Sequence, residues 1–130
     1  MKHVLVDTDV LIDYTKGKDD ALAGLFELQS KGEIELYITP VNIAEFLNDT
    51  ALKTAEKQKK AQDFLRLFSV CDLTSAMGVA AGAYLRKKTV SYLGDAMIAA
   101  ACTESHLLLM TRNRRHFSRI PGLTFYERLN

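Results

Sequence analysis

The chain opens on a short apolar run, Lys2 to Val6, that ends abruptly on a carboxylate, Asp7. Consecutive apolar positions do not suit a strand with one wet face; they suit a strand covered on both sides, as in a parallel α/β sheet. The rest of the sequence keeps to that scheme. Ile34–Ile38, Val70-Cys71, Leu107–Met110 and a last run at Leu123–Tyr126 read as strands, and stretches of helical period separate them. Strands that alternate with helices predict an α/β fold with a parallel sheet.

The helical stretches carry their own punctuation. Thr8 or Asp9 can cap a short helix through Val10-Leu11-Ile12 that ends near Gly17. A second helix starts at Asp19-Asp20, uses Leu22, Leu25, Phe26 and Leu28, and stops at Gly32. Thr39-Pro40 is a strong helix start, because Thr39 can accept from an orphan amide and Pro40 suits the first helical position. That helix carries Glu45 among apolar neighbours, which predicts a rather dry setting. Further helices are expected from Ala55 to Ser69, from the Thr74 cap through Leu85, and over the almost wholly apolar stretch Asp95–Cys102.

With 130 residues, 48% hydrophobic and 25% charged, the chain fits one domain over 1–130 that needs no disulfide or structural zinc. Cys71 and Cys102 belong to no Cys-x-x-Cys pair and read as buried, reduced thiols of a cytoplasmic protein. The opening run is too short for a signal peptide, and no apolar stretch approaches the ~20 residues of a membrane span. A net charge of +1 excludes a bulk polycation, so nucleic-acid binding would rest on local patches.

Three acids stand where chemistry is expected. Asp7 follows the first strand, at the end of a sheet where parallel α/β proteins bind ligands. Glu45 lies about one and a half turns into the helix after the second strand, and Asp95 opens the most apolar helix. Each has a plain structural reading: helix cap for Asp7, solvated surface for Glu45, N-cap for Asp95. Together they form a cluster that resists ionisation unless a cation neutralises it, and an all-oxygen set suits Mg2+ or Mn2+. Zinc is disfavoured because His3, His106 and His116 lack ligand spacing.

A fourth region, Met110 to Phe117, follows the Leu107–Met110 strand and should reach the same end of the sheet. Thr111 and Asn113 are candidates to hold a carboxylate or a water on the metal. Arg112, Arg114, Arg115 and Arg119 are candidate phosphate contacts, with solvated salt bridges as the plain alternative. Arg86-Lys87-Lys88 is a second basic run, equally explained by a helix dipole. His116 reads either as a proton donor to a leaving group or as a packed ring.

Four blocks in order carry a family resemblance: Val6-Asp7-Thr8-Asp9-Val10-Leu11-Ile12, Ile38-Thr39-Pro40-Val41-Asn42-Ile43-Ala44-Glu45-Phe46, Gly94-Asp95-Ala96-Met97-Ile98-Ala99-Ala100, and Leu109-Met110-Thr111-Arg112-Asn113-Arg114-Arg115-His116-Phe117. The chain resembles the PIN-domain ribonucleases, in particular the VapC-type toxins of toxin–antitoxin pairs. The resemblance implies a PIN-like three-layer fold, with a central parallel sheet of about five strands flanked by helices, and Mg2+- or Mn2+-dependent cleavage of RNA. It places Asp7, Glu45 and Asp95 at the family's acidic positions, with Asp7 and Asp95 as direct metal ligands. Thr8 and Asp9 are supporting candidates, but the first block often has Asn or Ser where Asp9 stands here, and a helix cap is the simpler role for Asp9. It also implies a homodimer and a cognate antitoxin that inserts a segment into or beside the active site. The last block departs from the pattern: many relatives carry a fourth aspartate where Asn113 or His116 stands here. Two other functions compete. Asp7-Thr8-Asp9 resembles the aspartyl-phosphate phosphatases, but Val10-Leu11 replaces the expected Gly-Thr. A degenerate domain that binds RNA or a partner without cutting draws on the missing fourth acid.

Overall fold

A computed structural model describes residues 1–127; the last three residues of the expected 1–130 unit lie outside it. The order is β1 (Lys2–Val6), α1 (Thr8–Thr15), α2 (Ala21–Ser30), β2 (Ile34–Ile38), α3 (Pro40–Leu47), α4 (Ala55–Leu65), β3 (Ser69–Val70), α5 (Ser75–Arg86), α6 (Leu93–Ser105), β4 (Leu108–Met110) and α7 (Arg114–Phe117). The sheet has four strands in the order β3-β2-β1-β4, and every pairing is parallel. Val4 pairs with Leu36 on one side and Leu108 on the other.

The period of two along β1 builds the three layers. Leu5 points into a core made with Ala96 to Cys102 of α6, Met77 and Ala81 of α5, and Phe117 of α7. Val4 and Val6 point the opposite way, into a core with Val10 and Leu11 of α1, Leu22 and Leu25 of α2, and Leu65 at the end of α4. Both cores are fully enclosed at the strand, which is why β1 reads as continuous apolar sequence.

Several expectations are corrected locally. The fifth strand at Leu123–Tyr126 reduces to one parallel bridge, Leu109 with Phe125. The α4 helix stops at Leu65 rather than Ser69, since Ser69 pairs with Tyr37 in the sheet. Asp7 itself, not Thr8 or Asp9, caps α1, and Asp95 sits in the first turn of α6 rather than at its N-cap, which is Tyr92. Thr39, Thr54 and Thr74 each cap a helix with a side-chain oxygen. Cys71 and Cys102 are free thiols, but only Cys102 is buried as expected: Cys71, just past the short edge strand β3, is only partly covered, whereas burial pushes the Cys102 thiol far up, so it stays protonated. Among the described residues no helix is long and apolar enough to cross a membrane.

Candidate active site

In the order β3-β2-β1-β4 the chain reverses direction of addition between β1 and β4, where parallel sheets leave a crevice past their carboxyl ends. Asp7 follows β1 and Thr111 follows β4. The Thr111 hydroxyl donates to Asp7 Oδ2 at 2.8 Å, across that boundary. Asp7 Oδ1 accepts from the Thr8 amide at 2.8 Å, the cap of α1. Capping uses one carboxylate oxygen and leaves the other facing the crevice, so capping and site roles coexist in one residue.

Asp7 is only 6% exposed. Burial pushes its carboxyl up to about 7, the charge of Asp9 and, more weakly, of Asp95 pushes the same way, and the bonds from Thr111 and Thr8 pull it partly back. Asp9 is raised too, first by burial and then by Asp13, against the pull of the Arg112 and Val10 amides and the Arg112 charge. Asp9 Oδ2 accepts from Asn113 Nδ2 at 3.0 Å and from the Arg112 amide at 3.3 Å. Its Oδ1 is enclosed with no well-formed hydrogen bond among the described residues. Asn113 in turn is fixed by its amide, which donates to Thr111 Oγ1 at 3.0 Å.

Glu45 reaches the crevice from α3. Contrary to the dry setting its neighbours predict, it is exposed, and the one fully buried position of α3 is polar: Asn42. Asn42 Oδ1 accepts from the Thr39 amide at 2.7 Å and the Thr39 hydroxyl at 2.8 Å, closing a capping box. Asn42 Nδ2 donates to Thr8 Oγ1 at 3.0 Å, and Thr8 Oγ1 donates to Glu45 Oε1 at 2.6 Å. A chain of hydrogen bonds therefore runs from the start of α3 through α1 to the Glu45 carboxylate. Its other oxygen rests against α6: a Cβ at Gly94 would lie 3.1 Å from Glu45 Oε2. Gly94 thus lets Glu45 approach the turn that carries Asp95. Asp95 Oδ2 lies 3.3 Å from His116 Nδ1.

The arginines divide. Arg112 is held by Asp13 at 2.9 Å and Asp19 at 2.8 Å, clasping the loop after β4 to α1 and the start of α2. Arg114 pairs with Glu127 at 3.2 Å, donates to the Tyr126 carbonyl and lies over the Phe125 ring. Arg115 and Arg119 are exposed, and among the described residues neither is in an ion pair; both line a cavity that also holds Asp95 and His116.

The donor set fits a hard divalent cation. Asp7 bears a charge that its surroundings resist, the enclosed Asp9 Oδ1 lacks a partner among the described residues, and the acids of the crevice offer oxygens. No three acidic, histidine or cysteine side chains among the described residues are grouped to hold an ion alone. Mg2+ takes one or two carboxylates and keeps several waters, so that arrangement suits it. Sequence reasoning missed Asn42 and Gly94. A signal for Asn42 was present: it stands three residues after a Thr cap, where a capping box puts its reciprocal side chain.

The PIN domain family model matches residues 4–123. No curated protein is similar enough in sequence to count as a relative. VapBC2 from Rickettsia felis bound to a promoter DNA fragment superposes with a TM-score of 0.79 at 22% identity, covering 95% of this chain and 97% of that one. DNA-bound VapBC from Salmonella typhimurium gives 0.79 at 24%, with 97% and 98% covered. A toxin–antitoxin complex from Klebsiella pneumoniae gives 0.74 at 25%, with 95% and 98% covered. With the family model spanning nearly the whole described chain, and the four-stranded parallel sheet and its acid-lined crevice in place, the chain belongs to the PIN domain family.

Proposed function

We propose that this chain is a divalent-metal-dependent endoribonuclease of the cytoplasm, a single domain that acts as the toxin of a toxin–antitoxin pair. The observation that carries the reading is Asp7: a carboxylate tied at 2.8 Å on both oxygens yet pushed up to about 7 by burial and neighbouring acids. A cation relieves that strain on the charged form. Asp7 and Asp95 are the residues that would hold it.

When bound, Mg2+ or Mn2+ supplies Lewis acidity toward a phosphodiester oxygen and makes water a better nucleophile. The chain's own groups do the rest. Thr111 and the Thr8 amide keep Asp7 in one rotamer. His116, 3.3 Å from Asp95, steadies that carboxylate. Glu45, anchored through Oε1 by Thr8, keeps Oε2 to take a proton from the attacking water. Arg115 and Arg119 hold flanking phosphates, since Arg112 and Arg114 are already committed to acids. Asn113 and His116 are the two candidates for the position where many relatives carry an acid; Asn113 donates to Asp9, and with neither an acid the site relies on fewer carboxylates.

For the antitoxin, a cavity of about 530 Å3 beside Glu45, walled by Ile12, Phe46, Leu52 and Phe64, is wide enough to take a partner's apolar side chains. The toxin–antitoxin neighbours support such a partner, and the family resemblance supports a homodimer.

Purified chain with single-stranded RNA is expected to cut in Mg2+ or Mn2+ and to lose at least about 100-fold of that rate in EDTA. Cutting that ignores EDTA, or none under any divalent ion, sinks the proposal. Gly94→Ala provides a second, finer check. Alanine favours the helix by up to about 1 kcal/mol over glycine. Its Cβ crowds Glu45 Oε2 at 3.1 Å, and the exposed carboxylate is what gives way. Cleavage should fall about tenfold, the scale of a displaced general base, with the melting temperature held or raised. A variant as active as wild type would show that Glu45 does not need its place against α6.

A further inference from the structure

Beyond Asp95 the crevice opens into a cavity of about 470 Å3, lined by Lys88, Tyr92, Asp95, Arg115, His116 and Arg119 among others. Tyr92 is conspicuous there. It is the N-cap of α6, but its side chain makes no capping bond, and the residue is 64% exposed. A large aromatic ring is normally used to bury area, and this one does not. Its neighbour is another open ring: the Tyr92 and His116 centroids lie 6.1 Å apart, inclined at 42°.

The rim that carries Tyr92 is pinned. The Thr89 amide and hydroxyl both donate to the Tyr84 carbonyl at 3.0 Å, the Lys88 amide donates to Leu85 O at 3.1 Å, and Val90 is buried. Lys88 holds the left-handed conformation, with φ 58°, that lets the chain leave α5 at this turn. Among the described residues Lys88, Arg115 and Arg119 have no ion-pair partner. An open aromatic ring on a pinned rim, in a cavity that these three cations line together with Asp95, matches a ligand that is flat and anionic by turns. A nucleotide of single-stranded nucleic acid has that chemistry: its base stacks and its phosphate pairs. The adjacent Leu93 is also exposed but does not line the cavity, whose lining is mostly polar and charged.

We propose that Tyr92, with His116 beside it, is the platform on which the base next to the scissile phosphate stacks, while Arg115, Arg119 and Lys88 hold that nucleotide's phosphate. The inference rests on the ribonuclease reading and deepens it. Tyr92 is a positioning residue: it places the strand over Asp95 and takes no part in bond breaking. The base must leave its helix to reach the ring, so the platform selects single strands over duplex.

The test uses the full chain. With single-stranded RNA as substrate, Tyr92→Ala is expected to raise KM about tenfold, within the range a stacked base confers, and to leave kcat within about twofold. Tyr92→Trp restores the wild-type KM, and an abasic nucleotide beside the cut abolishes the difference between Tyr92→Ala and wild type. An unchanged KM in Tyr92→Ala, while wild type cuts, overturns the platform and leaves the nuclease standing. If wild type cuts nothing, the ribonuclease reading fails by itself. A short single-stranded oligoribonucleotide carrying 2-aminopurine then decides the platform: quenching by wild type and not by Tyr92→Ala supports it, and equal fluorescence overturns it. A change of oligomeric state in Tyr92→Ala also overturns it, since the ring would then serve a second copy of the chain.

Discussion

Asparagine in place of Asp7 is expected to give a protein that melts higher than wild type at pH 8 and cuts RNA at least about 100-fold more slowly. The cause is the raised carboxyl. Folded, Asp7 titrates at about 7; in the unfolded chain it titrates near an ordinary aspartate, at about 3.9. Between those values the folded protein keeps a proton that the unfolded chain has lost. Stability from this group is therefore fully present below about pH 4, falls by up to about 1.4 kcal/mol per pH unit as pH rises, and is gone above the folded value. At pH 8 wild type carries a buried charge that costs on the order of 2–4 kcal/mol. The substituted amide carries none and keeps an acceptor for the Thr8 amide. The gain in melting temperature should shrink steadily from pH 8 to pH 5. Mg2+ should raise the wild-type melting temperature at pH 8 and leave that of Asp7→Asn unmoved. Cleavage should drop by at least about 100-fold, as expected when a ligand of a catalytic ion is lost. Equal melting of the two proteins across this pH range would show that Asp7 is not held in the charge-crowded state described.

Asn42→Ala is expected to damage both the stability of the chain and its cutting. Asn42 and Thr39 are both 0% exposed, and the Asn42 side chain serves the Thr39 amide, the Thr39 hydroxyl and Thr8 Oγ1. Alanine leaves the buried Thr39 amide without its partner, at about 1–3 kcal/mol, and opens a small cavity besides. A total near 3 kcal/mol lowers the melting temperature by about 10 °C for a chain of this size. Function falls with it for a separate reason. Thr8 loses the donor that orients its hydroxyl, and Glu45 loses a fixed anchor. Cleavage measured well below the melting point should therefore fall further than the folded fraction does. A loss of stability under about 1 kcal/mol would mean that water replaces the Asn42 side chain, so the buried network would not be what fixes Thr8.

What the sequence made legible is what local chemistry decides. β1 and Asp7 could be read because a doubly covered strand must be apolar at every inward position, and a carboxylate is a natural cap for the helix that follows. Thr39-Pro40 marked the start of α3 by the same local logic. The misread parts depend on partners distant in the chain. Leu123–Tyr126 has the composition of a strand, but the short β4 gives it only one bridge, at Phe125. Glu45 looked dry because its neighbours are apolar, yet α3 lies with its polar Asn42 inward, a choice made by the Thr8 hydroxyl thirty-four positions earlier. The arginine cluster looked like one patch. Asp13 and Asp19 claim Arg112, and Glu127 claims Arg114, leaving Arg115 and Arg119 for a ligand. No spacing rule announces such long-range pairings.

The bond between Thr111 and Asp7 joins residues 104 positions apart. During synthesis Asp7 precedes its tether by that whole distance, and the bond waits until β4 has emerged and docked beside β1. Every earlier, partly made form of the protein holds Asp7 by its helix cap alone, with Asp95 not yet steadied by His116. The acid-lined crevice is therefore completed only by the docking of β4 beside β1, because no earlier segment supplies Thr111 or His116.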